Sequence, residues 1–98
     1  KLKSMLKDLI FTLQDEKYVS EPVQLPSDAG LHLEFEPVLR GNCVELEQSM
    51  TGDKYYNFKT EYSPGAVYDL VIAGVIPGMY IRVKTALQPI VAKILVSE

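Results

Sequence analysis

Tryptophan is absent from this chain, and cysteine and histidine occur once each. A single Cys excludes an intramolecular disulfide, which fits a reducing compartment and equally an exported protein with a packed thiol. A nucleophilic thiol needs a neighbouring base. The one histidine, His32, falls in a different predicted strand from Cys43, so Cys43 reads as a small packed hydrophobe. One His and no nucleophile turn give no Ser/His/Asp arrangement. There is no Gly-rich phosphate loop and no motif with metal-ligand spacing, so neither a cofactor nor a metal is expected. No apolar run approaches the roughly 20 residues of a spanning helix. Basic residues are few: 10 Lys and Arg stand against 13 Asp and Glu, net charge −3, with no basic stripe to meet a nucleic acid. The chain begins at Lys1 rather than Met, which is compatible with an export signal already removed.

What the sequence does contain is alternation. Its 98 residues make one domain, 1–98, large enough for a single core. The densest apolar stretch, Tyr68 to Val96, reads as three strands. Residues 67–73 put Tyr68, Leu70 and Ile72 on one face. Residues 79–85 put Met79, Ile81 and Val83 on one face and Tyr80, Arg82 and Lys84 on the other. Residues 90–96 put Ile90, Ala92, Ile94 and Val96 together opposite Lys93. Pro presets φ and Gly accepts positive φ, so Ile76-Pro77-Gly78-Met79 reads as a tight turn. The short links predict that these strands are antiparallel meander neighbours.

Upstream, Leu31, Leu33 and Phe35 alternate with His32, Glu34 and Glu36 until Pro37, and Arg40-Gly41-Asn42 signals a turn. Val44 and Leu46 alternate with Cys43, Glu45 and Glu47, and Thr51-Gly52-Asp53 signals the next turn. Residues 54–62 place Tyr56, Phe58, Thr60 and Tyr62 on one face. Residues 14–30 are loop-rich, with Pro22, Pro26 and Ser27-Asp28-Ala29-Gly30. Val23 and Leu25 suit a short edge strand, where Pro is tolerated.

Residues 1–13 differ. Leu2, Met5, Leu6, Leu9, Ile10 and Leu13 recur at helical spacing, which predicts a short amphipathic helix burying Leu6, Leu9 and Ile10. Such a helix packs on the sandwich, on a membrane surface or on a partner. The competing reading makes Ile10–Gln14 an edge strand.

Six or seven strands with turn signals every 8–12 residues, and no intervening helices, predict an all-β, immunoglobulin-like antiparallel β-sandwich with its core in 31–96. The predicted core is Leu33, Phe35, Val44, Leu46, Phe58, Leu70, Ile72, Ile81, Val83, Ile94 and Val96. If the strands around 31–36 and 43–48 pair through the 37–42 turn, Glu34, Glu36, Glu45 and Glu47 become cross-strand neighbours. That cluster reads as a solvated acidic face relieved by Lys54 or Lys59.

The runs GDKYY, YDLVIAGVIPGMYIRV and VAKILV resemble a pattern in small exported immunoglobulin-like proteins of Bacteroidetes-type bacteria, a family of unknown function. A related pattern occurs in the C-terminal sorting domains of type IX secretion. The matching positions are Gly52, Tyr55 and Tyr56; Pro77, Gly78, Tyr80, Ile81 and Val83; and Lys93, Ile94 and Val96. The chain lacks the Y-P-N-P opening of the sorting domains, which places the stand-alone family first. The resemblance implies a periplasmic, outer-surface or secreted location, although cytoplasmic residence also agrees with the single Cys.

Two functions follow. One is a non-enzymatic interaction or adhesion-type module that engages an unknown protein partner or a second copy of itself. The other is a sorting or accessory domain of a larger secreted protein. For the first, Tyr55, Tyr80 and Arg82 form the expected interaction surface, because Tyr and Arg dominate interface hot spots.

Overall fold

A computed structural model describes residues 3–37 and 41–97. The described residues form ten strands and no helix. These are β1 (Ser4–Asp8), β2 (Phe11–Gln14), β3 (Lys17–Ser20), β4 (Val23–Gln24), β5 (Ala29–Glu34), β6 (Cys43–Ser49), β7 (Tyr56–Tyr62), β8 (Val67–Ile72), β9 (Tyr80–Thr85) and β10 (Val91–Ser97). They build two antiparallel sheets. The first has the order β1-β10-β5-β8. The second runs β2-β3-β9-β6-β7, with β4 also paired to β9. Leu31, Leu33, Ile72, Ile94 and Val96 from the first sheet meet Val44, Leu46, Ile81 and Val83 from the second in one core. The predicted antiparallel two-sheet sandwich is therefore the fold.

The N-terminal helix is corrected to two edge strands. β1 pairs with β10, and β2 forms a hairpin with β3. The chain changes sheet at Leu9–Ile10, where Leu9 N–H donates to the Ala92 carbonyl (2.9 Å) and the Ile10 carbonyl accepts from Glu21 N–H (2.9 Å). Leu9 is buried, but Leu6 and Ile10 are exposed. A lone helix of this length is marginal in water, whereas two open sheet edges offer the same backbone groups ready partners. The reading of Ile10–Gln14 as an edge strand is the one realised, over Phe11–Gln14. Leu2 lies outside the described residues.

The meander is also corrected. β8 and β10 both flank β5, while β9 lies in the opposite sheet between β3 and β6. The Ile76–Met79 turn forms as predicted, with Met79 N–H on the Ile76 carbonyl (3.1 Å) and Gly78 at φ 101°. It sits inside a crossover, not a hairpin. Residues 73–79 and 86–90 are long enough to bridge sheets about 10 Å apart, and each strand has a buried face that either sheet accepts. β5 and β6 likewise occupy different sheets, so the predicted pairing of Glu34 and Glu36 with Glu45 and Glu47 does not occur. In the turn predicted between them, Arg40 lies outside the described residues and Gly41 has φ 97°.

Nine of the eleven predicted core residues are buried. Leu70 is half-buried on edge strand β8, and Phe58 is exposed. A bulge explains Phe58. Leu46 pairs with Lys59 while Glu47 pairs with Asn57, so Phe58 faces no residue of β6. The bulge also separates Tyr56 from Thr60 and Tyr62, which the alternation had placed on one face. Ile90, read as part of the face of Ile94 and Val96, precedes β10 and is exposed.

Pro22 interrupts a long strand and so divides β3 from β4. From Val19↔Lys84 to Val23↔Ile81 the chain advances four residues against three on β9. Val83 N–H donates instead to Ser20 Oγ (2.8 Å), which keeps this buried backbone donor satisfied.

Candidate interaction surfaces

The outer face of the second sheet carries a ladder of charge. Glu47 is opposite Arg82 on β9, and Glu45 is opposite Lys84. Arg82 Nε donates to Glu47 Oε1, and Lys84 Nζ lies 3.3 Å from Glu47 Oε2. Lys17 from β3 closes on Glu45. The cations that relieve the acids are therefore Lys17, Arg82 and Lys84, not the expected Lys54 and Lys59. Burial alone would raise the Glu47 pKa. Hydrogen bonds from Arg82 and Lys84, with their charges, outweigh it and hold the carboxyl below its ordinary value.

Arg82, Tyr55 and Tyr80 do come together here. The Arg82 guanidinium carbon stands 4.1 Å from the centre of the Tyr55 ring, a cation–π contact. The Tyr55 hydroxyl is buried without a partner among the described residues, and burial raises its pKa. Tyr80 lies on Gly52, where an added Cβ would sit 3.2 Å from the ring and φ is 86°. All three residues are half-buried and committed to internal contacts. As placed, they brace the β6–β7 turn against β9.

The outer face of the first sheet is different. Strand register lines up Leu6, Leu95, Gly30 and Val71 in one row across all four strands. Their side chains point away from the core, since Leu31, Ile94, Val96 and Ile72 occupy the alternate positions. Leu6, Leu95 and Val71 are 57%, 44% and 76% exposed. Gly30 has no side chain, so the row dips there into a groove of about 320 Å³ whose rim includes His32 and Asp69.

The next row is ionic: Asp8, Lys93, His32 and Asp69. Lys93 Nζ donates to Asp8 (2.7 Å). The imidazole is bracketed, with Nε2 2.7 Å from Glu34 Oε2 and Nδ1 against Asp69 Oδ1. The two carboxylates take opposite ring nitrogens and do not converge on a shared point. Among the described residues, no three His, Cys, Asp or Glu side chains are placed to hold a metal ion. Cys43 sits on β6 in the other sheet, with its thiol pKa raised by burial, so it forms no pair with His32.

Glu34 first, then Asp69, raises the His32 pKa above its ordinary 6.5 by accepting hydrogen bonds from the charged ring. A raised pKa stabilises the fold below the unfolded value, and that contribution fades as pH climbs through the folded one. An NMR titration of the His32 ring is expected to show a midpoint above 6.5, and Asp69→Asn should move it down. A wild-type midpoint at or below 6.5 would show that the bracket does not hold in solution.

The apolar row was not legible from the strands singly. Leu6 has the spacing of a helical stripe, and Val71 has the parity opposite to Leu70 and Ile72. Gly30, read as the end of a turn cluster, lies inside β5, and its neighbours become visible only with the register. No protein-family model matches the chain, and no curated protein is significantly similar to it.

Proposed function

We propose that this protein is a non-enzymatic, exported interaction module that engages a protein partner through the outer face of the β1-β10-β5-β8 sheet. One observation carries the reading: the outer face of this sheet presents an exposed apolar row beside its ionic one. Antiparallel sheets with one face on a core ordinarily turn polar residues to water. Here Leu6, Leu95 and Val71 form an exposed row, notched at Gly30, beside a charged rim, the makeup of a binding patch. The export element of the proposal is supported by the resemblance of the 52–56, 77–83 and 93–96 motifs to small exported sandwich domains. Tyr55, Tyr80 and Arg82 serve this module as its internal brace.

The test is capture of a partner from a cell-envelope fraction by immobilised wild type, a Leu6→Thr/Val71→Thr variant and a Tyr55→Ala/Arg82→Ala variant. Thr keeps strand propensity and charge while removing apolar surface. The first variant should lose the captured protein, and the second should retain it whenever folded. Equal retention by wild type and the Thr variant would remove this face from consideration.

A further inference from the structure

Gly30 lies inside β5, paired without irregularity to Leu95 on one side and Val71 on the other. A glycine within a strand costs stability, roughly 0.5–1 kcal/mol relative to Ala. It is usually explained by a bulge, a positive φ or a close approach. Gly30 has none of these within the chain. Its φ is not positive, no bulge occurs there, and an added Cβ would meet only Leu95 Cβ at an ordinary 3.6 Å. The fold accepts a side chain at this position, yet the notch is open.

The chemistry around the notch is mixed. Leu6, Leu95 and Val71 line its apolar part, and Asp69 stands at the rim with its side chain 71% exposed. Asp8, Glu34 and Asp69 put three carboxylates on this face. The cations Lys93 and His32 are already engaged, one with Asp8 and the other between Glu34 and Asp69. Asp69 uses Oδ1 for His32, and no described residue donates to Oδ2. An anionic occupant would meet these carboxylates, and a purely aliphatic one would strip water from Asp69 without replacing it.

We propose that the notch over Gly30 receives an Arg or Lys side chain from an extended segment of a partner protein. The methylene stem lies between Leu95 and Val71, and the cationic head rests on Asp69. Long basic side chains combine these properties, an apolar stem with a charged tip, and the head-to-carboxylate hydrogen bond is charge-assisted. The inference rests on the reading of this face as the partner-binding surface.

The experiment is a titration of the full chain, followed by amide NMR, with acetyl-Val-Arg-Val-amide and its citrulline and Glu counterparts. The Arg peptide should shift the amides of Gly30, Leu31, Val71 and Leu95 saturably. Citrulline in the peptide, or Asp69→Asn in the protein, should weaken binding about tenfold or more. Gly30→Val fills the notch and should abolish the shifts while leaving the melting temperature unchanged or higher. No shifts with the Arg peptide, or equal shifts with all three peptides, would overturn the proposal. So would concentration-dependent shifts at these amides without peptide and a dimer mass, since a second copy would then be the occupant. Failure of the Arg peptide while Leu6→Thr/Val71→Thr still loses its captured partner would reject the basic side chain and leave the binding face standing. Failure of both would reject both.

Discussion

Leu46→Ala is expected to lower the free energy of unfolding by about 2–5 kcal/mol. Leu46 is fully buried in β6, a central strand flanked by β7 and β9, and it is register partner to Val83. Truncation removes transfer free energy and leaves a cavity where strands on both sides limit collapse. Domains of this size are stable by only about 5–15 kcal/mol, so the loss is a large share of the total. Urea unfolding should show a lower midpoint at an unchanged slope. Phe58→Ala is the contrast, because Phe58 is 41% exposed at the bulge and should cost much less. A Leu46→Ala loss below about 1 kcal/mol, outside the usual range for core leucines, would contradict the placement of β6 at the centre of the core.

Arg82→Ala is expected to cost about 2–3 kcal/mol, below the usual cost of breaking a buried pair because Lys84 still reaches Glu47. The loss has two parts. Glu47, nearly buried, keeps its charge with one partner fewer, and the Tyr55 ring loses the guanidinium packed on it. The same ladder sets an acid dependence. Glu47 has a lowered folded pKa, so its stabilisation is complete above the unfolded carboxyl value of 4.5 and is lost as pH falls through the folded value. Wild-type stability should therefore decline below about pH 4.5, and Arg82→Ala should decline less steeply. A variant as stable as wild type at pH 7, with an unchanged acid slope, would show that the ladder contributes nothing.

Strand parity was legible where alternation was clean and no bulge intervened, as one does in β7. Leu31, Leu33 and Phe35, Val44 and Leu46, Ile81 and Val83, and Ile94 and Val96 face the core as their spacing predicts. Sheet membership was not legible, because a strand with one apolar face fits either sheet and only the long-range partner decides. That ambiguity produced the meander and the imagined acid pair. The N-terminus misled for a physical reason: Met5 and Leu6 are adjacent, as in a helical stripe, yet a strand sends them to opposite faces. Met5 pairs with Val96 and Leu6 with Leu95. The β2–β3 hairpin was missed because its turn uses Asp15 and Glu16 at φ 50° and 68°, where Asn-Gly is the usual signal. The sequence did mark Tyr55, Tyr80 and Arg82 as a group. It could not reveal that Gly52 and Glu47 engage two of them inside the chain, or that Leu6, Leu95 and Val71 converge around a glycine.

In the proposed division of labour, the apolar face around Gly30 engages the partner while the charged face around Arg82 holds the fold together. The most direct measurement takes the protein captured by wild type, purifies it, and compares its affinity for wild type and Gly30→Val alongside the two melting temperatures. Filling the notch is expected to abolish binding with the melting temperature held or raised. Undiminished affinity in a folded Gly30→Val protein would contradict it.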